Sequence, residues 1–216
     1  MVSRDPESRR GPVLAWCMFV GAAYGAGTSI LNHTGPAFLS ALLGDGAAWA
    51  GLGLLSGWML RKKSLTLWFC LLGTVIIFVF ATLSYYISDI LFSLPDIIQL
   101  QQDIDSGDIP PLPEEAARPS TVKDLICLQG QEAAAWVGMS VLLGIPVGLA
   151  GALMARRDLL GFLIQLSGPI LLATYAHTLL AMNSAQASRG FLCISGIWFF
   201  CIISRQMVIR YNTSSH

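Results

Sequence analysis

A chain of 216 residues that is 54% hydrophobic and 12% charged, with a mean hydropathy of +0.63, carries more apolar surface than a water-soluble fold of this size can bury. Thirteen basic residues balance 13 acidic ones, so the formal net charge is zero and no nucleic-acid partner is expected. A membrane class is what remains, in which about 20 helical residues cross a hydrocarbon core of about 30 Å.

Six apolar stretches occur in chain order: Pro12 to Leu31, Ala47 to Leu60, Leu65 to Tyr86, Ala133 to Ala155, Leu159 to Met182 and Gly190 to Ile209. They predict an all-α integral membrane bundle of six transmembrane helices in a single domain spanning 1–216. The second stretch is the shortest. Ala37 to Leu43 could extend it, but Gly44-Asp45-Gly46 interrupts the apolar run, which predicts a short half-helix or re-entrant turn followed by the main helix. No cleavable signal is expected, because Met1 to Arg10 is polar and the first apolar stretch is full length.

Basic residues near the span ends set the orientation. Arg4, Arg9 and Arg10 precede the first span, Arg61, Lys62 and Lys63 follow the second, Arg156 and Arg157 follow the fourth, and Arg205 and Arg210 close the sixth. All of these map to one side, and Arg118, Lys123 and Arg189 to the other, so both termini are expected in the cytoplasm of a multi-pass cell-membrane protein. The long connection 87–130 should then be exoplasmic. It opens amphipathically over Ile87 to Leu100, carries eight acids against two bases, and has a proline-rich centre at Ile109-Pro110-Pro111-Leu112-Pro113. A cap lying on the membrane surface and a solvated acidic linker both fit that composition.

Small residues mark the faces that pack. Gly21, Gly25 and Ser29 in the first span, Gly53 and Gly57 in the second, and Gly144, Gly148 and Ala152 in the fourth follow small-xxx-small spacing, which lets helix backbones approach closely. Pro146 and Pro169 fall inside the fourth and fifth spans, where each removes a backbone hydrogen bond and is expected to kink its helix. Cys17, Cys70, Cys127, Cys193 and Cys201 have no CxxC spacing and read as small apolar packers. Phosphate-loop, dinucleotide, HExxH and GxSxG signatures are absent, so no metal and no cofactor is expected.

Three acid and aromatic pairs at four-residue spacing are the candidates for chemistry: Asp45 with Trp49, Tyr85 with Asp89, and Glu132 with Trp136. Residues four apart share a helix face, and all three pairs map to outer span ends. Asp45, Glu132 and Asp89 are therefore candidate catalytic acids, with Trp49, Tyr85, Tyr86, Trp136, Tyr24, Tyr175 and His177 as candidate substrate-binding groups. Ionisable groups in apolar surroundings are costly and mark sites. The competing reading is structural: interfacial aromatics form a belt, Asp45 caps the second helix, and Glu132 favours the N-terminus of the fourth.

The stretch Gly35-Pro36-Ala37-Phe38 through Leu42-Leu43-Gly44-Asp45-Gly46-Ala47-Ala48-Trp49, with Gly57, Arg61-Lys62-Lys63 and Tyr85-Tyr86, resembles a family of small bacterial multi-pass membrane proteins over about the first 90 residues. In size, span number and membrane-edge carboxyls the chain also resembles the small membrane-bound terpene cyclases of bacterial indole-sesquiterpene pathways. That likeness implies proton-initiated cyclisation of a prenylated lipophilic substrate and brings no catalytic residue with it. No DDxxD motif for magnesium and diphosphate occurs, which favours proton-started chemistry. The partners expected are a lipophilic small molecule and membrane lipid. A small-molecule or ion transporter or channel component, and a non-catalytic membrane subunit, are the alternatives.

Overall fold

The computed structural model describes residues 10–63, 65–107, 119, 121–156, 158–181 and 185–214; side chains are not described at 38, 180–187 and 205–214. The expectations resting on Arg4, Arg9, Arg118, Arg157 and the proline-rich 109–113, and on the side chains of Arg205 and Arg210, lie outside the described residues. Among the described residues there are seven helices and no strand: α1 (Arg10–Thr34), α2 (Ala37–Leu43), α3 (Gly46–Lys62), α4 (Leu67–Ser106), α5 (Val122–Met154), α6 (Leu159–Ala181) and α7 (Ala185–Ser214). Four are long and apolar enough to cross a membrane: α1, α4, α5 and Leu159–Leu179 of α6. The apolar part of α7, Ser188–Ser204, is shorter, as is the 17-residue α3.

The break at Gly44-Asp45-Gly46 is real and separates α2 from α3. Asp45 adopts an extended backbone there, and its carboxylate accepts from Ala47 N at 2.8 Å, so the helix restarts with its first turn capped. The connection expected over 87–130 is shorter than that. Its start is amphipathic and keeps helical order, and α4 continues through Pro95 to Ser106, giving 40 residues and a length of about 60 Å. Gly107, at a φ of 82° that residues with a Cβ rarely adopt, stops it. Thr121 then starts α5 by accepting from Asp124 N at 3.1 Å. Pro146 and Pro169 lie inside helices that run on past them.

The structure comprises two compact units. One comprises 1–35 and 71–146, the other 36–70 and 147–216.

In the first unit, α1 lies parallel to α4. Gly21 faces Ile77, Gly25 faces Ala81, and His33 meets Asp89, all at the same 56-residue offset. A Cβ on Gly21 or Gly25 would run into the backbone carbonyl opposite, so the contact exists because these residues are glycine. Ser84 Oγ donates to Ala22 O at 2.8 Å across the same seam. The N-terminal part of α5 runs antiparallel to α4, pinned by the buried Thr82–Ser140 hydroxyl pair at 2.8 Å and by Gly144 against Val75.

In the second unit, Gly57 of α3 abuts Gly148 and Ala152 of α5, and Gly151 abuts Leu54. Helices α6 and α7 form an antiparallel pair. Ser188 Oγ donates to Ala176 O and Ser195 Oγ to Pro169 O, both at 2.7 Å, and Gly168 makes room for the Trp198 ring. Ala176 and Phe191 form the core here, with Leu42, Ala47, Leu172 and Leu179 packed on it.

Both units bury small hydroxylated side chains and show large apolar ones to the outside. Thr28, Ser29, Thr74 and Ser188 are at most 2% exposed, whereas Leu142, Leu171 and Phe200 are 68%, 68% and 70% exposed. That inverted pattern suits hydrocarbon surroundings, where association comes from close backbone packing and interhelical hydrogen bonds rather than from hiding leucines.

Candidate functional site

The constant offset between α1 and α4 brings the C-terminal turn of α1 beside the middle of α4. There His33 Nε2 lies 2.8 Å from Asp89 Oδ1, and Gln129 of α5 donates from Nε2 to Asp89 Oδ2 at 2.9 Å. Both carboxylate oxygens are thus occupied, by groups from two different helices. The His33 ring stacks on Phe92 with centroids 4.9 Å apart and planes 14° from parallel, which fixes its orientation toward Asp89. One turn earlier on α4, the Tyr85 hydroxyl accepts from Asn32 Nδ2 at 3.0 Å, and the Tyr85 and Tyr86 rings meet edge to face at 5.4 Å. Glu132 is exposed but close enough to act electrostatically on both phenols.

The side chain of Asp89 is 18% exposed and that of His33 33%, so the pair reaches the surface of its unit rather than lying in a sealed chamber. Gln129 Oε1 is different: it is buried and has no hydrogen-bond partner among the described residues. Its direction is set by electrostatics, because turning the amide over would press oxygen against the Asp89 carboxylate. An unmatched buried acceptor costs about 1–3 kcal/mol and invites a donor.

The second unit holds a simpler pair. Asp45 Oδ2 accepts from the Tyr175 hydroxyl at 2.7 Å, while Oδ1 caps α3. Tyr175 in turn meets the buried Phe191 edge to face at 5.7 Å. This is a clasp from the start of α3 to the middle of α6.

The candidates from the sequence therefore fall into two groups. Tyr85, Asp89 and, at its margin, Tyr86 and Glu132 come together in one unit, where Tyr24 is half-buried and Trp136 is exposed. Asp45, Trp49, Tyr175 and the exposed His177 belong to the other. His33, Asn32, Phe92 and Gln129 were not among the sequence candidates. The Gly21, Gly25, Ser29 stripe was the available signal, since it names the face of α1 that must meet another helix; what it lacks is the identity of that helix. A groove on α4 between Leu91 and Asp103 involves none of the candidate residues.

Outside the spanning segments, Asp158 precedes α6 and accepts from Gly161 N at 3.0 Å and from Arg156 Nε at 2.8 Å. The backbone N–H of Gly161 first, then the Arg156 guanidinium, hold its carboxyl below the ordinary aspartate value.

Comparison of the chain with family models, with curated proteins and with solved structures finds no match.

Proposed function

We propose that this chain is a six-span protein of the cell membrane, with both termini cytoplasmic, and that Asp89 initiates cyclisation of a prenylated lipophilic substrate by donating a proton. The parallel run of α1 and α4 supports the span count, since two parallel spans need a return pass between them in the chain. The antiparallel α6 and α7 argue likewise for a return pass through α7. Helix α3, at about 25 Å, is short for a span, but the basic residues at its end reach water by snorkelling. The basic residues grouped at one set of span ends supply the orientation.

The observation that carries the chemistry is the Asp89 carboxyl held by His33 and Gln129 beside Tyr85. In its acid form Asp89 transfers a proton to the CH carbon of the terminal trisubstituted alkene, leaving a tertiary cation on the dimethyl carbon. The next double bond attacks that cation and closes a ring, and a neighbouring carbon then loses a proton to the carboxylate. The reaction is an isomerisation, with one proton lent and returned. Tyr85, Tyr86 and Trp136 offer ring faces to the cation, Glu132 is the second acid nearby, and His33, 2.8 Å from Oδ1, holds the Asp89 carboxyl in place. Gln129 Oε1 accepts from an N–H or O–H of the substrate. Asp45, committed to a cap and to Tyr175, has a structural part.

The test is conversion of prenylated indoles and polyprenyl alcohols by membrane fractions. Asp89→Asn should lower product at least about 100-fold, the usual value of a positioned acid, while Asp45→Asn should leave it unchanged. Undiminished product in Asp89→Asn would overturn the cyclase reading. One observation favours a second reading, a proton- or cation-coupled transporter: Gln129 Oε1 is a buried acceptor without a partner among the described residues, which a passing cation could satisfy. Proton flux in proteoliposomes that stops in Asp89→Asn, with no cyclised product in wild type, would establish it instead.

A further inference from the structure

The end of α3 combines features that the proposed chemistry does not use. Arg61, Lys62 and Lys63 are consecutive and exposed, and among the described residues none is paired with a carboxylate. Each is positioned differently. Arg61 donates from its guanidinium to Leu65 O at 2.7 Å, which fixes the α3–α4 turn. Lys62 Nζ sits 4.0 Å above the centre of the Trp58 ring, one helical turn back. Lys63 is the C-cap residue, and its ammonium points to no described partner.

An apolar track leads to these cations. Leu55 and Met59 are 58% and 47% exposed, and Leu55, Met59 and Lys62 or Lys63 recur at helical spacing on one face of α3. Trp68, 80% exposed at the start of α4, stands on the far side of the same short turn. A strip of bare hydrocarbon ending in two ammonium groups that have no carboxylate partner among the described residues, and flanked by indole rings, has the polarity profile of a phospholipid: acyl chain, interface, anionic headgroup.

We infer that the α3–α4 turn is a binding site for an anionic phospholipid, with the phosphate held by Lys62 and Lys63 and an acyl chain along Leu55 and Met59. The site requires the chain to be in a membrane and is independent of the chemistry proposed for Asp89. Lys62 is pre-positioned by Trp58, so it loses little freedom on binding. Arg61 contributes charge while keeping the turn in shape.

The full chain in nanodiscs of equal phosphatidylglycerol and phosphatidylcholine tests this, with retained lipid read by native mass spectrometry. Wild type should retain phosphatidylglycerol selectively. At about 1 kcal/mol per lysine, Lys62→Gln with Lys63→Gln should weaken retention about 25-fold, and the double arginine variant should restore it. Equal retention of the two lipids, unchanged selectivity in the glutamine variant, or displacement of the lipid by millimolar inorganic phosphate would overturn the proposal. Release of the chain from membranes by alkaline carbonate would instead remove the membrane reading on which the site depends, whereas loss of Asp89 chemistry would leave lipid retention untouched.

Discussion

Asp89 and Asp45 each stand four residues from an aromatic side chain in the sequence, yet one unit places its aspartate between helices and the other places it at a helix start. Asp89 has a histidine on one oxygen and a glutamine on the other, brought by α1 and α5. Asp45 spends one oxygen on its own helix and the other on a tyrosine hydroxyl. Identical local spacing therefore carries different chemistry, because the partner helices decide what a carboxylate meets. A cap is satisfied locally and tolerates an amide; a carboxylate bridging three helices reports on the packing of all of them.

The comparison is broken most severely through the backbone contact beneath the His33–Asp89 pair. Gly25→Leu should cost on the order of 3 kcal/mol and separate His33 from Asp89, because a side chain there meets the Ala81 carbonyl. Thermal unfolding in detergent checks this, with Gly27→Ala, which opens onto free space, as the silent control. Next in size, Asp89→Asn should destabilise by about 1.5–3 kcal/mol, the worth of hydrogen bonds to a charged group, whereas Asp45→Asn should change stability by about 0.5 kcal/mol or less, since asparagine caps as well as aspartate. Equal losses in the two variants would erase the distinction between bridge and cap. Tyr175→Phe removes one bond from a partly exposed clasp and should cost about 0.5–1 kcal/mol, which chemical denaturation can resolve.

The smallest effect concerns pH. Asp158 has a folded pKa below the ordinary aspartate value of 3.8, so its stabilising contribution is present above that pH and is lost as the pH falls through the lowered value. The stability difference between wild type and Asp158→Asn should hold steady at about pH 5 and above and close below pH 3.8. A difference that widened in acid would contradict the bonds from Gly161 and Arg156.

Much of the fold was legible in the chain. The apolar runs located every long helix, Gly44-Asp45-Gly46 located the break before α3, and the glycine stripes named the packed faces of α1, α3 and α5. The helical continuation of α4 to Ser106 was less so, because Pro95 and four acids read as loop until their amphipathic spacing is given weight. The candidate site was half legible. Tyr85 and Asp89 stand out through their own spacing, but His33 looks isolated in sequence, since the residue that gives it meaning lies 56 positions away. Only the pairing of α1 with α4 supplies that distance, and composition carries no trace of which helices pair.

The shared offset along α1 and α4 also makes this chain unequally tolerant of changes in length. Adding a single residue between Gly25 and His33 would swing the imidazole about 100° around the helix axis and away from Asp89. The same addition just after Gly107, beyond the end of α4, would leave the phase of both helices intact. Relatives of this chain should accordingly vary in length after α4 while conserving the count within α1 and from Ile77 to Asp89, as two gears keep their teeth whatever the length of the shaft between them.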